Sequence, residues 1–206
     1  MPQSGAWSLK PAHSSSSRGP RVNAGIQAVC MVEFNSIALG VKAADAMIKS
    51  ARVTPLLLKT ICPGKFLAGF HGDVASTRTA EQVGIEVGGA AAVDHFLIPN
   101  ISSQVLAALC CAVETSRGPA VGIIETFSAA TCVAAADVAV KTAAVDLIEV
   151  RLAMGLGGKA ICFFRGDVAS VEAAADAGAA VAAQSGLLVR KVVIPSMAPE
   201  LFPYIL

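Results

Sequence analysis

The pattern of hydrophobic and polar residues along the chain alternates between segments typical of β-strands and segments typical of α-helices. Runs rich in Val, Ile and Met at 27–33 and 120–125 predict opening strands. Each run leads into a stretch, 36–51 or 128–143, in which apolar residues recur at helical spacing. The pattern therefore predicts a strand followed by a helix at two places, with serine or asparagine N-caps at Ser36 or Asn35 and at Ser128.

The same order continues after each of these helices. Two strands flanking a tight glycine turn are predicted next, at 55–61 and 66–70 in the first half and at 147–153 and 160–164 in the second. A second helix then follows, capped by Asp73 or Asp167, and the first of these helices stops at Gly88-Gly89. A last strand ends at Ile98-Pro99 or Ile194-Pro195, and a closing helix is predicted over 102–113.

These elements come from one unit that occurs twice. The pentapeptide Gly72 to Ser76 recurs letter for letter as Gly166 to Ser170, 94 residues later (166 − 72). Glu33 matches Glu125 at 92 residues (125 − 33), and the intervening change of offset marks an insertion in the second copy. Solenoid repeats are about 20–50 residues long, so two tandem domains are favoured over a stacked array. Each unit is predicted to be an α/β sandwich with a mixed β-sheet and flanking helices.

Composition adds a prediction about assembly. The 206 residues are 54% hydrophobic and 15% charged, with a mean hydropathy of +0.64, which is high for a soluble monomer. Charged residues interrupt every apolar run before the roughly 18 residues that a membrane helix needs. Burial between subunits is therefore expected, in an obligate oligomer. A net charge of +1 and 5% aromatic residues argue against nucleic-acid binding.

The N-terminus predicts a separate segment. Residues 1–24 contain three prolines and the run Ser14 to Ser17, which favours a disordered arm, and they show no secretory signal. The six cysteines form no C-x-x-C pair, so reduced thiols in a cytoplasmic protein are expected. The predicted organisation is an arm at 1–24, a first domain at 25–116 and a second at 117–206.

Several motifs in fixed order resemble those of a known family. Glu33-Phe34-Asn35-Ser36, the helix from Ala43 to Ala51, Pro63-Gly64-Lys65 and Gly72-Asp73-Val74 are similar to the signature of bacterial microcompartment shell domains. The second copy repeats it at Ala135 to Ala143, Gly158-Lys159 and Gly166 to Val168, in unpermuted order. The chain is most similar to the tandem trimeric shell proteins of propanediol-utilisation compartments, whose pore loop also carries Ile-Cys-Pro-Gly-Lys.

The resemblance implies an assembly and its partners. Tandem members form homotrimers that mimic six-fold tiles and join hexameric and pentameric tiles in the compartment shell, around enclosed enzymes that include redox enzymes. It also implies that Lys49 and Lys141 lie at the tile edge and meet the neighbouring tile; the alternative is a lysine near the C-terminal dipole of its helix. Asn100 and Ser196 replace the basic residue that many relatives carry after the Ile-Pro step.

The resemblance also places Cys62 in a turn that points at the symmetry axis. A trimer would then bring three thiols together, and soft sulfur ligands suit a [4Fe-4S] cluster, one per trimer, with one iron lacking a cysteine. The alternatives are a free thiol in a narrow pore or a small buried residue. The other cysteines are expected in the core. The pore lining implied by the resemblance comprises Cys62, Pro63, Gly64, Met154, Gly155, Leu156 and Gly157.

No catalytic constellation emerges from the sequence. The stretch from Gly155 to Lys159 lacks the spacing of a phosphate-binding loop, and the three histidines are scattered, so no enzyme activity is expected. Three hypotheses remain. The chain is a shell tile whose Cys62 cluster passes electrons across the shell, a structural tile whose pore conducts metabolites, or a sensor or enzyme made of duplicated units.

Overall fold

The computed structural model describes residues 26–110, 118–153 and 155–205. The predicted arm at 1–24, Cys111 and Met154 lie outside these residues. Within them, each unit repeats one order of elements, which the alternating strand and helix periods predicted. The sequence order is strand, helix, strand, strand, helix, strand, followed by a short closing helix.

The first unit runs from β1 to α3. Strand β1 is buried along its whole length, whereas β2 and β4, at the two edges of the sheet, are mostly half-buried or exposed. The bounds of its elements are β1 Ala28–Phe34, α1 Ile37–Ser50, β2 Val53–Ile61, β3 Lys65–Gly72, α2 Val74–Gly88, β4 Ala92–Pro99 and α3 Ser103–Leu109, with a 3₁₀ turn at Gly89–Ala91.

The second unit repeats the plan from β5 to α6. Its closing segment differs, since a 3₁₀ turn at Pro199–Leu201 precedes a very short helix. The bounds of its elements are β5 Ala120–Thr126, α4 Ala129–Thr142, β6 Asp146–Leu152, β7 Ala160–Gly166, α5 Val168–Gln184, β8 Leu188–Ile194 and α6 Phe202–Ile205.

Each unit has a four-stranded sheet whose neighbouring strands are all antiparallel. The orders are β2-β3-β1-β4 and β6-β7-β5-β8. The prediction of a mixed sheet was wrong in this respect, although the α/β class and the tandem arrangement are confirmed. Strands β1 and β2, joined by the crossover helix α1, do run in the same direction, but β3 lies between them. No parallel pair therefore forms hydrogen bonds.

The predicted caps are present at the helix starts. Ser36 Oγ accepts a hydrogen bond from the Leu39 amide at 3.4 Å, and Asp73 Oδ1 accepts one from the Ser76 amide at 2.9 Å. Asp167 repeats the second contact with Ser170 at 2.9 Å. Helix α2 ends at Gly88, and Gly89 follows it with φ +52°, a left-handed conformation that glycine adopts without strain.

The largest hydrophobic cluster joins the two units. Phe96 and Val105 of the first unit pack with Val133 and Leu147 of the second. Cysteines Cys30, Cys132 and Cys162 are buried in the cores, as predicted. Cys110 is not a core residue, because α3 ends at Leu109 and Cys110 is its exposed C-cap. The two units therefore form one packed body.

Candidate functional site

Two loops, one from each unit, meet at one place. The turn of Cys62, Pro63 and Gly64 connects β2 to β3, and residues 153–159 connect β6 to β7. The Cys62 amide donates a hydrogen bond to the Ala153 carbonyl oxygen at 2.9 Å. A Cβ at Gly158 would lie 2.8 Å from Pro63 Cδ, so glycine is required for this close approach. The first-unit turn is thus held by the second-unit loop.

The second loop has a backbone that glycine makes possible. Gly155, Gly157 and Gly158 have φ values of +73°, +61° and +89°, which residues with a side chain rarely adopt. No atom lies within 4 Å of a Cβ built on Gly64, Gly155 or Gly157, so these residues face open space. The structure therefore brings together the described residues of the predicted pore lining, with Leu156 half-buried among them. Met154 lies outside the described residues.

Cys62 is the thiol in these loops, and it is half-buried. The thiolate is the form that binds metals. Burial raises the pKa of Cys30 to about 12, and a hydrogen bond that the Cys132 thiol donates to Cys162, with burial, raises the pKa of Cys132. Those two cysteines therefore stay protonated.

No group of three or more metal-ligating side chains occurs among residues 26–110, 118–153 and 155–205. One chain thus supplies one thiol at the loops. That donor set fits an iron-sulfur cluster only where several copies share the site.

A second arrangement lies where β1 meets the start of α4. Glu33 is fully buried, and its carboxylate accepts hydrogen bonds from Lys65 Nζ at 2.7 Å and Ser128 Oγ at 2.9 Å. It also accepts from the amides of Ala129 at 2.7 Å and Ala130 at 3.3 Å. A carboxylate is favoured at the positive end of a helix dipole. Glu33 of the first unit therefore caps a helix of the second.

Asp94, on β4, binds the same turn of α4. Its carboxylate accepts from the Thr131 amide at 3.0 Å and from Thr131 Oγ1 at 2.6 Å. It also contacts Ser128 Oγ, whose single proton is shared between Asp94 and Glu33. Hydrogen bonds to an ionised acceptor are among the stronger ones in proteins. Together with Glu33, Asp94 fixes the start of α4 against the first sheet.

Further along the contact, side chains satisfy backbone groups of the opposite unit. Asp137 Oδ1 of α4 accepts from the Ser102 amide at 2.8 Å. The Gln104 side-chain amide donates to the Val145 carbonyl at 3.2 Å and accepts from the Leu147 amide at 2.7 Å, which extends the edge of β6. The contact between the units is therefore both apolar and specifically hydrogen-bonded.

Lys49 and Lys141 occupy equivalent positions in the last turns of α1 and α4. Lys49 Nζ lies 2.6 Å from Asp45, and Lys141 Nζ lies 2.5 Å from Asp137. Their side chains are 71% and 42% exposed, so both ammonium groups remain accessible to a neighbour. Their predicted role at a tile edge stays a prediction.

The sequence showed Glu33 as a match to Glu125 and as part of the Glu33-Phe34-Asn35-Ser36 motif. Its role in joining the units was not predicted, because its donors in the second unit begin 95 residues later, at Ser128. One signal was available. In both copies, a carboxylate lies inside an apolar strand and a lysine directly follows the turn between the next two strands. The pairs are Glu33 with Lys65 and Glu125 with Lys159. A repeated buried charge needs a partner in each copy.

Within the described residues, no helix is long and apolar enough to cross a membrane.

Comparisons with known proteins agree with the duplication. The family model described as BMC domain matches residues 28–101 and again 120–197. The bacterial microcompartment shell protein PduT of Citrobacter freundii is 44% identical over 169 residues, covering 82% of this chain and 92% of the relative. The shell protein EutM of Salmonella typhimurium is 46% identical over 76 residues, or 37% of this chain and 77% of EutM.

Solved structures show the same fold. A microcompartment protein from Desulfitobacterium hafniense superposes with a TM-score of 0.77 and 45% identity, covering 87% of this chain and 99% of that one. The fused permuted hexameric shell protein MSM0275 has a TM-score of 0.59 at 21% identity, covering 77% of this chain and 82% of that one, and supports the fold alone.

Proposed function

The chain belongs to the family of bacterial microcompartment shell proteins, with two BMC domains in tandem, and from this we propose that it is a trimeric, pseudo-hexameric shell tile that carries electrons through a [4Fe-4S] cluster bound by Cys62. Three copies would supply three thiolates, one from each chain. The tile would join hexameric and pentameric tiles of the same shell and serve enclosed redox enzymes.

The observation that carries this proposal is the support of the Cys62 turn by the second-unit loop. The Cys62 amide is hydrogen-bonded to Ala153, and Pro63 packs against Gly158. The equivalent place in the second loop has Met154 in the sequence. A thiol that occurs once per chain, in a turn fixed by the other unit, suits a site on a three-fold axis.

The chain's own residues would position and enclose the ligand. Cys62 supplies a soft sulfur donor, which iron-sulfur centres prefer. When bound, such a cluster takes up and releases one electron at a time. Gly64, Gly155 and Gly157 leave open space beside the thiol, because none of them has a side chain to fill it.

A structural tile with a cluster-free pore is the second candidate function. The same glycines favour it, since backbone lining with open space on one side suits a passage for small metabolites. The two candidates differ in what Cys62 binds, and one assay separates them.

The first prediction is that the protein binds iron through Cys62. Protein purified without oxygen should contain about four iron and four sulfide atoms per trimer and give an electron paramagnetic resonance signal after reduction. Cys62→Ser should lose both while remaining folded. The matched control is Cys110→Ser, which removes an exposed thiol away from the loops and should keep full iron content. Iron-free trimers that resist reconstitution would support the structural tile with a metabolite pore instead.

A further inference from the structure

Duplication gives this chain a second copy of each surface that joins its units. The first unit contributes β1, β4 and α3 to the contact, and the second contributes α4 and β6. In the second unit, β5, β8 and the C-terminal segment are equivalent to β1, β4 and α3. In the first unit, α1 and β2 are equivalent to α4 and β6. Among the described residues, these equivalent surfaces do not meet each other.

The acidic side of the contact is buried in one copy and open in the other. Glu33, which caps α4, and its ion-pair partner Lys65 have side chains that are 0% and 21% exposed. Glu125 and Lys159 form the same ion pair, at 2.5 Å, and are 27% and 41% exposed. The second pair therefore has the geometry of the first but no helix start to bind.

The receiving helix shows the same difference. Ala129, Thr131 and Val133 of α4 are almost fully buried by the first unit. Their equivalents in α1, 92 residues earlier, are apolar and open to solvent, with Ile37 40%, Leu39 39% and Val41 52% exposed. The side chain of Asp45, the equivalent of Asp137, is 60% exposed against 4%. An apolar helix face of this kind favours a protein partner.

We propose that the partner is a second copy of this chain, and that Glu125, held by Lys159, caps the N-terminus of α1 in that copy. The carboxylate accepts hydrogen bonds from the Ser36 hydroxyl and from the amides of Ile37 and Ala38, as Glu33 does from Ser128, Ala129 and Ala130. Each copy thereby completes a helix start of its neighbour. This inference rests on the proposed assembly of copies and identifies the residues that join them.

The contact is head-to-tail, which has a structural consequence. A surface that binds a different surface of the next copy continues until the rotation closes a ring. The contact within the chain sets the rotation that relates its two units. If chains join through the same contact, each further unit is related to the previous one by the same rotation.

The two contacts are not identical, and the difference provides a test. The position of Asp94 is occupied in β8 by Arg190, and the position of Thr131 is occupied in α1 by Leu39. The carboxylate that binds Thr131 within the chain has no equivalent between chains. Arg190 of one copy instead faces Leu39 of the next.

The first experiment removes or reverses the proposed cap. Wild type, Glu125→Gln and Glu125→Lys are compared by sedimentation over a concentration series. Glu86→Lys, which changes an exposed carboxylate of α2, is the control. Glu125→Lys should raise the concentration of half-dissociation by at least about tenfold, because a cation replaces an anion at a helix N-terminus. Glu125→Gln should have a smaller effect in the same direction, and Glu86→Lys should match wild type.

The second experiment tests the pairing of Arg190 with Leu39. Leu39→Arg should weaken the oligomer through like-charge repulsion, and adding Arg190→Asp should restore it to within about threefold of wild type. Both positions are exposed in the single chain, so circular dichroism should show folded protein in every case.

These results separate the interface from the function proposed above. If the wild type is a trimer and the Glu125→Lys and Leu39→Arg variants form equally stable trimers, this interface is overturned. The iron assay would still test the tile. A monomeric wild type would overturn both. Loss of trimers in the variants with charge rescue in the double variant supports the interface whatever the iron content.

Discussion

Two aspartates show how single residues set the start of the helices. Asp73 and Asp167 are fully exposed, and each accepts hydrogen bonds from the amide and hydroxyl of the serine three residues later. These bonds favour the ionised carboxylates. The backbone amide of Ser76 lowers the pKa of Asp73 below 3.8, and the Ser170 hydroxyl does the same for Asp167.

Removing both caps should therefore lower stability in a pH-dependent way. Asp73→Ala with Asp167→Ala is expected to reduce the Tm by a few degrees at neutral pH. Because the folded pKa values lie below the ordinary value, the stabilisation is complete above about pH 3.8 and is lost as the pH falls through the folded pKa. Thermal melts of the variant and of Glu86→Ala across this range would check it. A difference from wild type that widens at low pH would contradict it.

The sequence predicted these local caps but not the caps that cross between units. A serine or aspartate just before an apolar helical stretch is a short-range pattern of an N-cap, and Asp73 and Ser128 were identified from it. Glu33 and Asp94 act on a helix of the other unit, and their donors become apparent only when the sheets and helices are packed. Asp94, unlike Glu33, is not repeated in the second copy, where its equivalent is Arg190.

At the scale of elements, the two units pack their paired helices differently. Gly84 of α2 and Gly178 of α5 are equivalent positions, 94 residues apart (178 − 84). A Cβ at Gly84 would lie 2.6 Å from the sulfur of Met47, a flexible side chain. A Cβ at Gly178 would lie 2.7 Å from the Ala135 carbonyl oxygen and from Ile124 Cδ1. The space beside Gly178 is therefore limited by backbone, whereas the space beside Gly84 is limited by a side chain that can move.

The equivalent alanine substitutions should differ in their effect. Gly178→Ala is expected to lower the free energy of unfolding by about 1–3 kcal/mol, because α5 must move away from the α4 backbone. Gly84→Ala should stay within about 1 kcal/mol of wild type, since Met47 can shift and alanine favours the helix. Urea unfolding at one fixed protein concentration would measure both. Equal losses at the two positions would show that packing against the backbone is not the cause.

The elements themselves were largely predictable, and their neighbours in the sheet were not. Periods of two and about 3.6 residues located the strands and helices to within a few residues. The order within the sheet depends on where β3 and β4 insert beside β1, which hydrophobic periodicity does not contain. That is why the sheet was expected to be mixed and is antiparallel.

At the scale of the whole molecule, the exposed lysines are the predicted contacts with other tiles. Lys49 and Lys141 pair with aspartates four residues earlier on the same helix. The Lys49–Asp45 pair is exposed on both sides and contributes little to stability, roughly 0.3–0.5 kcal/mol. Asp137, in contrast, is only 4% exposed, so Lys141 neutralises a buried carboxylate. The fold therefore does not depend on Lys49, whereas a change at Lys141 needs a check of stability beside the test of assembly.

Lys49→Ala with Lys141→Ala should preserve trimers and reduce the formation of sheets. The reason is that the variant loses two cations from the surface predicted to face the next tile. Because Lys141 also pairs with Asp137, which binds the Ser102 amide across the units, a thermal melt of Lys141→Ala checks that this contact survives. Electron microscopy of two-dimensional arrays, with sedimentation as the check on trimers, would measure the effect. Arg78→Ala removes an exposed cation from α2 and should leave sheets intact. Normal sheets from the double variant would exclude an edge role for these lysines.

The difference between Asp94 and Arg190 also has an evolutionary consequence. When a ring is encoded by a gene for one unit, every mutation appears at all of its joints at once. A duplicated gene lets alternate joints diverge, so that one carries an acid and the next a base. A single-unit paralogue in the same cell would then match one kind of joint and be rejected by the other. In the proposed tile, divergence of the two halves is thus expected to disfavour mixing with single-unit relatives.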